Sequence, residues 1–133
     1  MVNQKTSAVL LYHILDWFFF FFHLGFVVFN LLGWLWKKTR LINLVTLSLT
    51  FASWFILGIF YGIGFCPFTE WHWQILENIG KTDLPSSYIS YLLNRLFGLD
   101  FAPSLVDFLT VVGAVVAFVI SAVLNHKDLV RKK

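Results

Sequence analysis

Apolar residues in this chain are concentrated in three long segments, separated by stretches that are richer in polar residues. The three segments cover residues 8–36, 41–64 and 105–124, and each reaches the roughly 20 residues that a helix needs to cross a bilayer. The pattern therefore predicts an all-α, integral membrane helical bundle with three transmembrane helices, in a single membrane domain, 1–133. The first segment is far longer than a signal-peptide core and has no small-residue cleavage motif, so we interpret it as a retained anchor.

Two shorter amphipathic segments lie in the stretch 65–103, between the second and third predicted spans. In the first, "EWHWQILENI", Thr69 is the expected N-cap and Gly80 the expected stop. The second, "SSYISYLLNRLFG", ends at Gly98. Both are too short to cross a bilayer. We expect two interfacial helices that form an outer lid, although the second, at 86–98, could instead pack into the bundle.

Composition and charge agree with lipid as the main solvent. Hydrophobic residues make up 59% of the chain and charged residues 13%, about half the charged share of an average soluble domain. Basic residues cluster after the first predicted span, at Lys37, Lys38 and Arg40, and again after the third. Because cytoplasmic segments collect Lys and Arg, we predict an N-terminus outside and a C-terminus in the cytoplasm. The partner that this indicates is a lipid bilayer, not nucleic acid.

Polar residues of the first predicted span share one helical face. His13, Asp16, His23 and Asn30 follow one another at intervals of three, seven and seven residues, so they should face the bundle interior. All four are candidates for ligand binding or proton relay, because ionisable and polar groups inside a membrane helix are often functional. We expect Asp16 and His13 to be solvated at the outer mouth, Asn30 to make an interhelical hydrogen bond, and His23 to lie near the bilayer middle. His23 is either a neutral imidazole bonded to a hydroxyl of the second span or a proton-relay or ligand residue. The hydroxyl candidates are Thr46, Ser48, Thr50 and Ser53.

A second group of candidate residues is expected in an outer vestibule of the bundle. It consists of Cys66, Thr69, His72 and Asp107. Cys66 is either a small residue at the point where Pro67 stops a helix or a reactive thiol at the vestibule. Asp107 follows Ser104 at the spacing of a capping box, which favours a capping role.

A metal ion is possible at this vestibule, with His13, Asp16 and His72 as candidate ligands if the lid folds over the first span. No spacing matches a ligand signature, so no cofactor beyond this possible metal ion is indicated. The chain also shows no nucleophile with a base, no glycine-rich phosphate loop and no clustered carboxylates. We therefore predict no catalytic residue and do not expect an enzyme.

Small residues recur at intervals of four in two of the predicted spans. Gly58 and Gly62 form a G-x-x-x-G pattern, and Gly113, Ala117 and Ser121 form a similar stripe. In lipid, small residues allow helix backbones to approach closely. We interpret both patterns as helix-packing surfaces within the bundle, with a homodimer contact as the alternative.

Two stretches resemble a known family. "HLGFVVFNLLG", residues 23–33, is similar to an H-L-x-F-V-x-F motif near a glycine, and "GFCPFTEWHW", residues 64–73, is similar to a C-P-L-T segment after a second span. Both are features of the small bacterial inner-membrane proteins grouped as domain of unknown function 2784. The resemblance covers roughly 15–123 and implies a multi-pass protein of the bacterial cell inner membrane. The family has no assigned activity, so it implies a fold and a location.

The chain departs from this family pattern at two positions. Many members have a glutamate where this chain has His72, and a histidine in the lid helix near the position of Tyr91. The roles of a lid carboxylate and a lid histidine therefore do not transfer to this chain.

Three classes of function fit the sequence. The first is an accessory or structural subunit of an envelope complex, with a membrane protein partner or a homo-oligomer. The second is a bundle that binds a small ligand or metal at its outer face. The third is a proton- or ion-conducting element.

Overall fold

The computed structural model describes residues 4–132, and the regular secondary structure within that range is helical. The helices are α1 (Gln4–Leu32), α2 (Arg40–Ala52), α3 (Gly58–Tyr61), α4 (Pro67–Asn78), α5 (Tyr88–Phe97) and α6 (Pro103–Lys132). A 3-10 turn, Gly33–Leu35, follows α1, and a π-helical turn, Ser53–Leu57, joins α2 to α3. The predicted all-α class is confirmed.

Three helical stretches are long and apolar enough to cross a membrane, which makes this a membrane protein. They are Gln4–Leu35, Arg40–Tyr61 and Pro103–Lys132. Their ends differ from the predicted bounds. The second stretch ends before 64 because Gly62 takes a φ of +115°, a left-handed conformation that a helix cannot continue. The third runs past 124 because residues 125–132 contain neither glycine nor proline.

Both short helices of 65–103 form, but the first begins earlier than predicted. α4 starts at Pro67 with Cys66 at its N-cap position, so the prediction of Thr69 as the cap is wrong. Proline suits the first helical position because its missing N–H would have no partner there. The stop was predicted correctly, since Gly80 turns the chain at a φ of +99° two residues after Asn78.

The ends of α5 also follow the sequence pattern, whereas the start of α6 does not. The Ser87 hydroxyl accepts a hydrogen bond from the Ser90 N–H at 3.2 Å, and Gly98 ends α5 in the left-handed conformation. α6 begins at Pro103, so Ser104 lies inside it. The predicted capping box between Ser104 and Asp107 is therefore wrong, and Asp107 is exposed.

α1 is the central helix of the bundle. α2, α4 and α6 pack against it, and α5 packs on α6 and on Phe20 of α1. Phe68 at the start of α4 contacts the rings of Phe22 and Phe26, whereas His72, one turn later, contacts Phe19. α4 thus runs antiparallel to α1. Of the two arrangements that the sequence left open for α5, the structure shows the one in which it packs into the bundle.

Glycines and small residues allow two close backbone approaches. A Cβ on Gly58 would lie 3.0 Å from the Cα of Ile63, where the chain folds back and the Gly64 N–H donates to the Trp54 carbonyl. Gly58 therefore accommodates the chain's own turn, not the neighbouring helix that was predicted. In α6 the small-residue stripe does face the bundle, and its Ser121 is fully buried.

An ion pair closes the end of the bundle that carries the basic clusters. The Nη1 of Arg40 lies 3.2 and 3.0 Å from the two carboxylate oxygens of Asp128, and Asn125 donates to the Arg40 carbonyl at 2.9 Å. These contacts place the start of α2 beside the last turns of α6. The two basic clusters of the sequence are therefore at the same end of the bundle.

Gly33→Ala should destabilise the bundle, and Gly25→Ala should not. A Cβ at residue 33 would lie 2.8 Å from Nδ2 and 3.1 Å from Cβ of the fully buried Asn43, whereas one at residue 25 meets nothing within 4 Å. We expect a loss of about 1–3 kcal/mol of unfolding free energy for Gly33→Ala. Unfolding in detergent micelles measures both variants, and equal effects would contradict the close approach of the turn after α1 to α2.

Candidate functional site

The centre of the site is the carboxylate of Asp16, which is only 4% exposed. Arg95 of α5 holds it through two hydrogen bonds, from Nη1 to Oδ1 at 2.8 Å and from Nη2 to Oδ2 at 3.1 Å. His72 of α4 lies against the same Oδ1, with Nε2 at 2.7 Å. A bidentate, charge-assisted pair is among the strongest hydrogen-bonded contacts in proteins. One carboxylate on α1 therefore joins both short helices to the span.

The hydrogen-bonded chain continues from His72 to Tyr88 of α5. The His72 Nδ1 lies 2.6 Å from the Tyr88 hydroxyl oxygen. A carboxylate can only accept hydrogen bonds, so Nε2 of His72 carries the proton that is donated to Asp16. The neutral ring then has a free lone pair on Nδ1, and the Tyr88 hydroxyl donates to it. The order of donation is thus fixed from Tyr88 through His72 to Asp16.

Aromatic rings surround the guanidinium of Arg95. Its central carbon lies 4.5 Å from the ring centroid of Trp17 and 4.3 Å from that of Phe20. Nη1 also donates to the Tyr91 hydroxyl at 2.7 Å. Aromatic faces attract cations. The charge of Arg95 is therefore balanced by Asp16 and shielded by rings, which reduces the cost of placing it against a membrane helix.

Asp16, Arg95, His72 and Tyr88 form one hydrogen-bonded group, the Asp16 network. His23 lies beside this network and does not form the predicted hydrogen bond to a hydroxyl of the second span. Its ring is 6% exposed and stacks on Tyr88, with centroids 4.1 Å apart, and its Nδ1 has no hydrogen-bond partner in the described part of the chain. The prediction of a hydroxyl partner from the second span is therefore wrong. Thr50, one of those candidates, instead accepts a hydrogen bond from Asn30 at 3.0 Å. This confirms the interhelical role of Asn30.

Burial keeps the middle of the chain uncharged. It lowers the pKa of His72 below the ordinary histidine value, even though the hydrogen bond to Asp16 acts in the opposite direction. Burial also raises the pKa of the Tyr88 hydroxyl. At neutral pH the arrangement is therefore a neutral imidazole between a neutral phenol and a carboxylate. In such a set the imidazole is oriented to take a proton from the phenol while it donates a hydrogen bond to the carboxylate.

Of the predicted site residues, the structure joins Asp16 and His72 by a hydrogen bond and stacks His23 on Tyr88 beside them. Asp16 was expected to be solvated, and this is wrong because Arg95 and His72 enclose it. His13, three residues earlier, is exposed. Among the residues from 4 to 132, no three His, Cys, Asp or Glu side chains are grouped so that they could hold a metal ion.

The remaining vestibule candidates are not hydrogen-bonded to the Asp16 carboxylate within residues 4–132. Cys66 is a free, half-buried thiol at the start of α4, and Thr69 is half-buried one turn into that helix. Asp107 is exposed in the first turns of α6. None of the three makes a side-chain hydrogen bond to Asp16, His72 or Tyr88 in the described range.

Arg95 and Tyr88 are site residues that were not predicted, although the sequence carries a signal for both. They are seven residues apart in α5 and share its apolar face with Leu92. An arginine on the buried face of an amphipathic helix needs a carboxylate partner. Asp16 is the acidic residue inside the first span, so the pair could have been inferred from these two anomalies together.

The fold and the site define an integral membrane helical bundle with a buried ion pair that ties two short helices to its first span. The family described as Protein of Unknown function (DUF2784) matches residues 13–126. The chain belongs to this family. Comparison with curated proteins found no match, and comparison with solved structures found none either.

Arg95→Met should strongly destabilise the bundle, because it leaves the Asp16 carboxylate buried without its cation. We expect a loss of about 3–5 kcal/mol of unfolding free energy. The double variant Arg95→Met/Asp16→Leu should recover part of this loss, since it removes both charges. Asp107→Asn, at an exposed carboxylate, is the matched control and should stay within about 0.5 kcal/mol of the wild type. Unfolding in micelles, followed by tryptophan fluorescence, would refute the role of the pair if Arg95→Met matched the control.

Proposed function

We propose that this protein is an accessory or structural subunit of an envelope complex, and that α1 presents the surface which binds the partner. The observation that carries the proposal is an ordered aromatic ridge on the exposed side of α1. Trp17 stacks on Phe21 with centroids 5.7 Å apart, and Phe18 stacks on Phe22 at 5.9 Å. All four side chains are between 41% and 61% exposed. Rings that are already held in stacks lose little side-chain entropy when a partner covers them.

A recess in the surface of α1 lies next to the aromatic ridge, at Gly25, which has no side chain. Gly25 lies one turn beyond Phe21, and a Cβ placed on it would meet no atom within 4 Å. Small residues next to bulky ones allow the backbone of a second transmembrane helix to approach closely. The proposed occupant is therefore a transmembrane helix of a partner membrane protein, with the aromatic ridge and Gly25 forming its contact surface.

The Asp16 network supports this function by making the ridge rigid. Trp17 lies under the guanidinium of Arg95, so the same contacts that join α5 to α1 also fix one end of the ridge. The two alternative functions, ligand or metal binding and ion conduction, require Asp16 or His72 to be available. Both side chains are engaged with each other and with neighbours, which favours the structural role.

Photo-cross-linking in native membranes tests the partner. A benzophenone amino acid at Phe21 should give a defined adduct with another membrane protein, whereas the same group at Phe108, which is 64% exposed on α6, should give lipid adducts. An adduct with a second copy of this chain would show that the surface forms a homo-oligomer and does not bind a different protein. Lipid adducts alone at both positions would refute the proposal.

We further propose the bacterial inner membrane as the location, with the N-terminus outside and the C-terminus in the cytoplasm. The Arg40–Asp128 contact supports a common side for the two basic clusters, and cytoplasmic segments are enriched in basic residues. In a Cys66→Ser background, a cysteine at the exposed position of Asp83 should react with an impermeant maleimide in intact cells. A cysteine replacing Lys38, also exposed, should react only after permeabilisation. The reverse labelling pattern would show that the N-terminus is in the cytoplasm and the C-terminus outside.

A further inference from the structure

The hydroxyl of Tyr88 is placed so that it can lose its proton within the protein. It lies 2.6 Å from Nδ1 of His72, and the two residues are 7% and 0% exposed. A phenol that loses an electron becomes a very strong acid, so a tyrosine is oxidised readily only where a base accepts the proton at the same time. His72 is such a base, because burial keeps its ring neutral at physiological pH.

The network also stabilises the product of that proton movement. When Nδ1 of His72 gains a proton, the ring becomes a cation whose Nε2–H already donates to Asp16 at 2.7 Å. Arg95 keeps the carboxylate ionised through its bidentate contact. A hydrogen bond to an ionised partner is about twice as strong as one between neutral groups. The new charge on His72 therefore forms beside an oriented anion.

We propose that Tyr88 is a redox-active tyrosine that gives one electron to a high-potential transition-metal centre while its proton moves to His72. The O–H bond of Tyr88 breaks and an N–H bond forms at Nδ1 of His72. The metal centre gains one electron, so its oxidation state falls by one, and Tyr88 becomes a neutral phenoxyl radical. Return of one electron from a reductant sends the proton back and restores the starting state.

Aromatic rings provide a route for the electron towards the surface. Trp73 of α4 has its ring centroid 5.2 Å from that of Tyr88, and it is half-buried at the edge of the network. The ring of His23 also stacks on Tyr88, with the two ring centroids 4.1 Å apart. Contacts of this length allow the electron to leave while bulk water is kept from the radical.

Tyr91 supplies a matched control within the same helix. Its ring centroid is 5.8 Å from that of Tyr88, so both tyrosines share almost the same surroundings. In the described part of the chain, however, the Tyr91 hydroxyl has Arg95, a hydrogen-bond donor, as its side-chain partner. Within residues 4–132, no base is hydrogen-bonded to the Tyr91 hydroxyl to take its proton. Only Tyr88 should therefore be oxidised readily.

Flash oxidation of the purified full chain in nanodiscs tests this assignment. The oxidant is photogenerated tris(bipyridine)ruthenium(III), with persulfate as the final electron acceptor, in a background where Tyr12 and Tyr61 are replaced by Phe. We expect a tyrosyl radical signal in electron paramagnetic resonance that survives Tyr91→Phe and disappears in Tyr88→Phe. Because each change removes one hydroxyl and keeps the ring, both variants should fold. A signal lost in Tyr91→Phe but not in Tyr88→Phe would overturn the proposal, as would a tryptophanyl radical alone.

The base is tested by His72→Phe, which removes the proton acceptor. Radical formation at Tyr88 should slow by about 100-fold or more, the usual scale for loss of a general base. An unchanged rate in a folded variant would overturn the role of His72. If this variant does not fold, the comparison of Tyr88→Phe with Tyr91→Phe decides the proposal on its own. The test uses the isolated protein, so it does not depend on whether the chain is a subunit of a complex.

Discussion

The buried carboxylate of Asp16 is the constraint on which the rest of the structure depends. A charge inside a span is costly unless an opposite charge reaches it, and the guanidinium of Arg95 meets this need from a helix 79 residues later in the chain. His72 bonds to the same oxygen from a third helix. The cost of an unpaired charge therefore fixes how α4 and α5 pack on α1, more specifically than apolar contacts alone would.

The same constraint links the two surfaces of α1. Its inner face carries Asp16, Phe20 and His23, whose neighbours come from α4 and α5. Its outer face carries the aromatic ridge, one end of which packs under Arg95. A change in the ion pair should thus be felt at the exposed ridge, because a packed helix transmits displacement from one face to the other.

The Asp16 network is also chemically ordered. The Asp16 carboxylate can only accept hydrogen bonds, so His72 donates to it and the Tyr88 hydroxyl donates to His72. The hydroxyl of Tyr88 is therefore the first donor of the series. Structural support and proton transfer do not exclude each other here. The contacts that hold the helices together are the same contacts that orient the imidazole between an acid and a base.

The three spans, the two short helices and the glycines that end them can all be read from the amino-acid sequence, because they depend on local hydrophobic periodicity and backbone conformation. The sequence also placed Asp16, His23 and Asn30 on one helical face, which periodicity alone decides. The partners of these three residues, in contrast, depend on how the helices pack. Arg95, His72 and Tyr88 lie 53 to 79 residues away from the residues of α1 that they contact. Spacing along the chain carries no information about such pairs, because they form only when separate helices pack together.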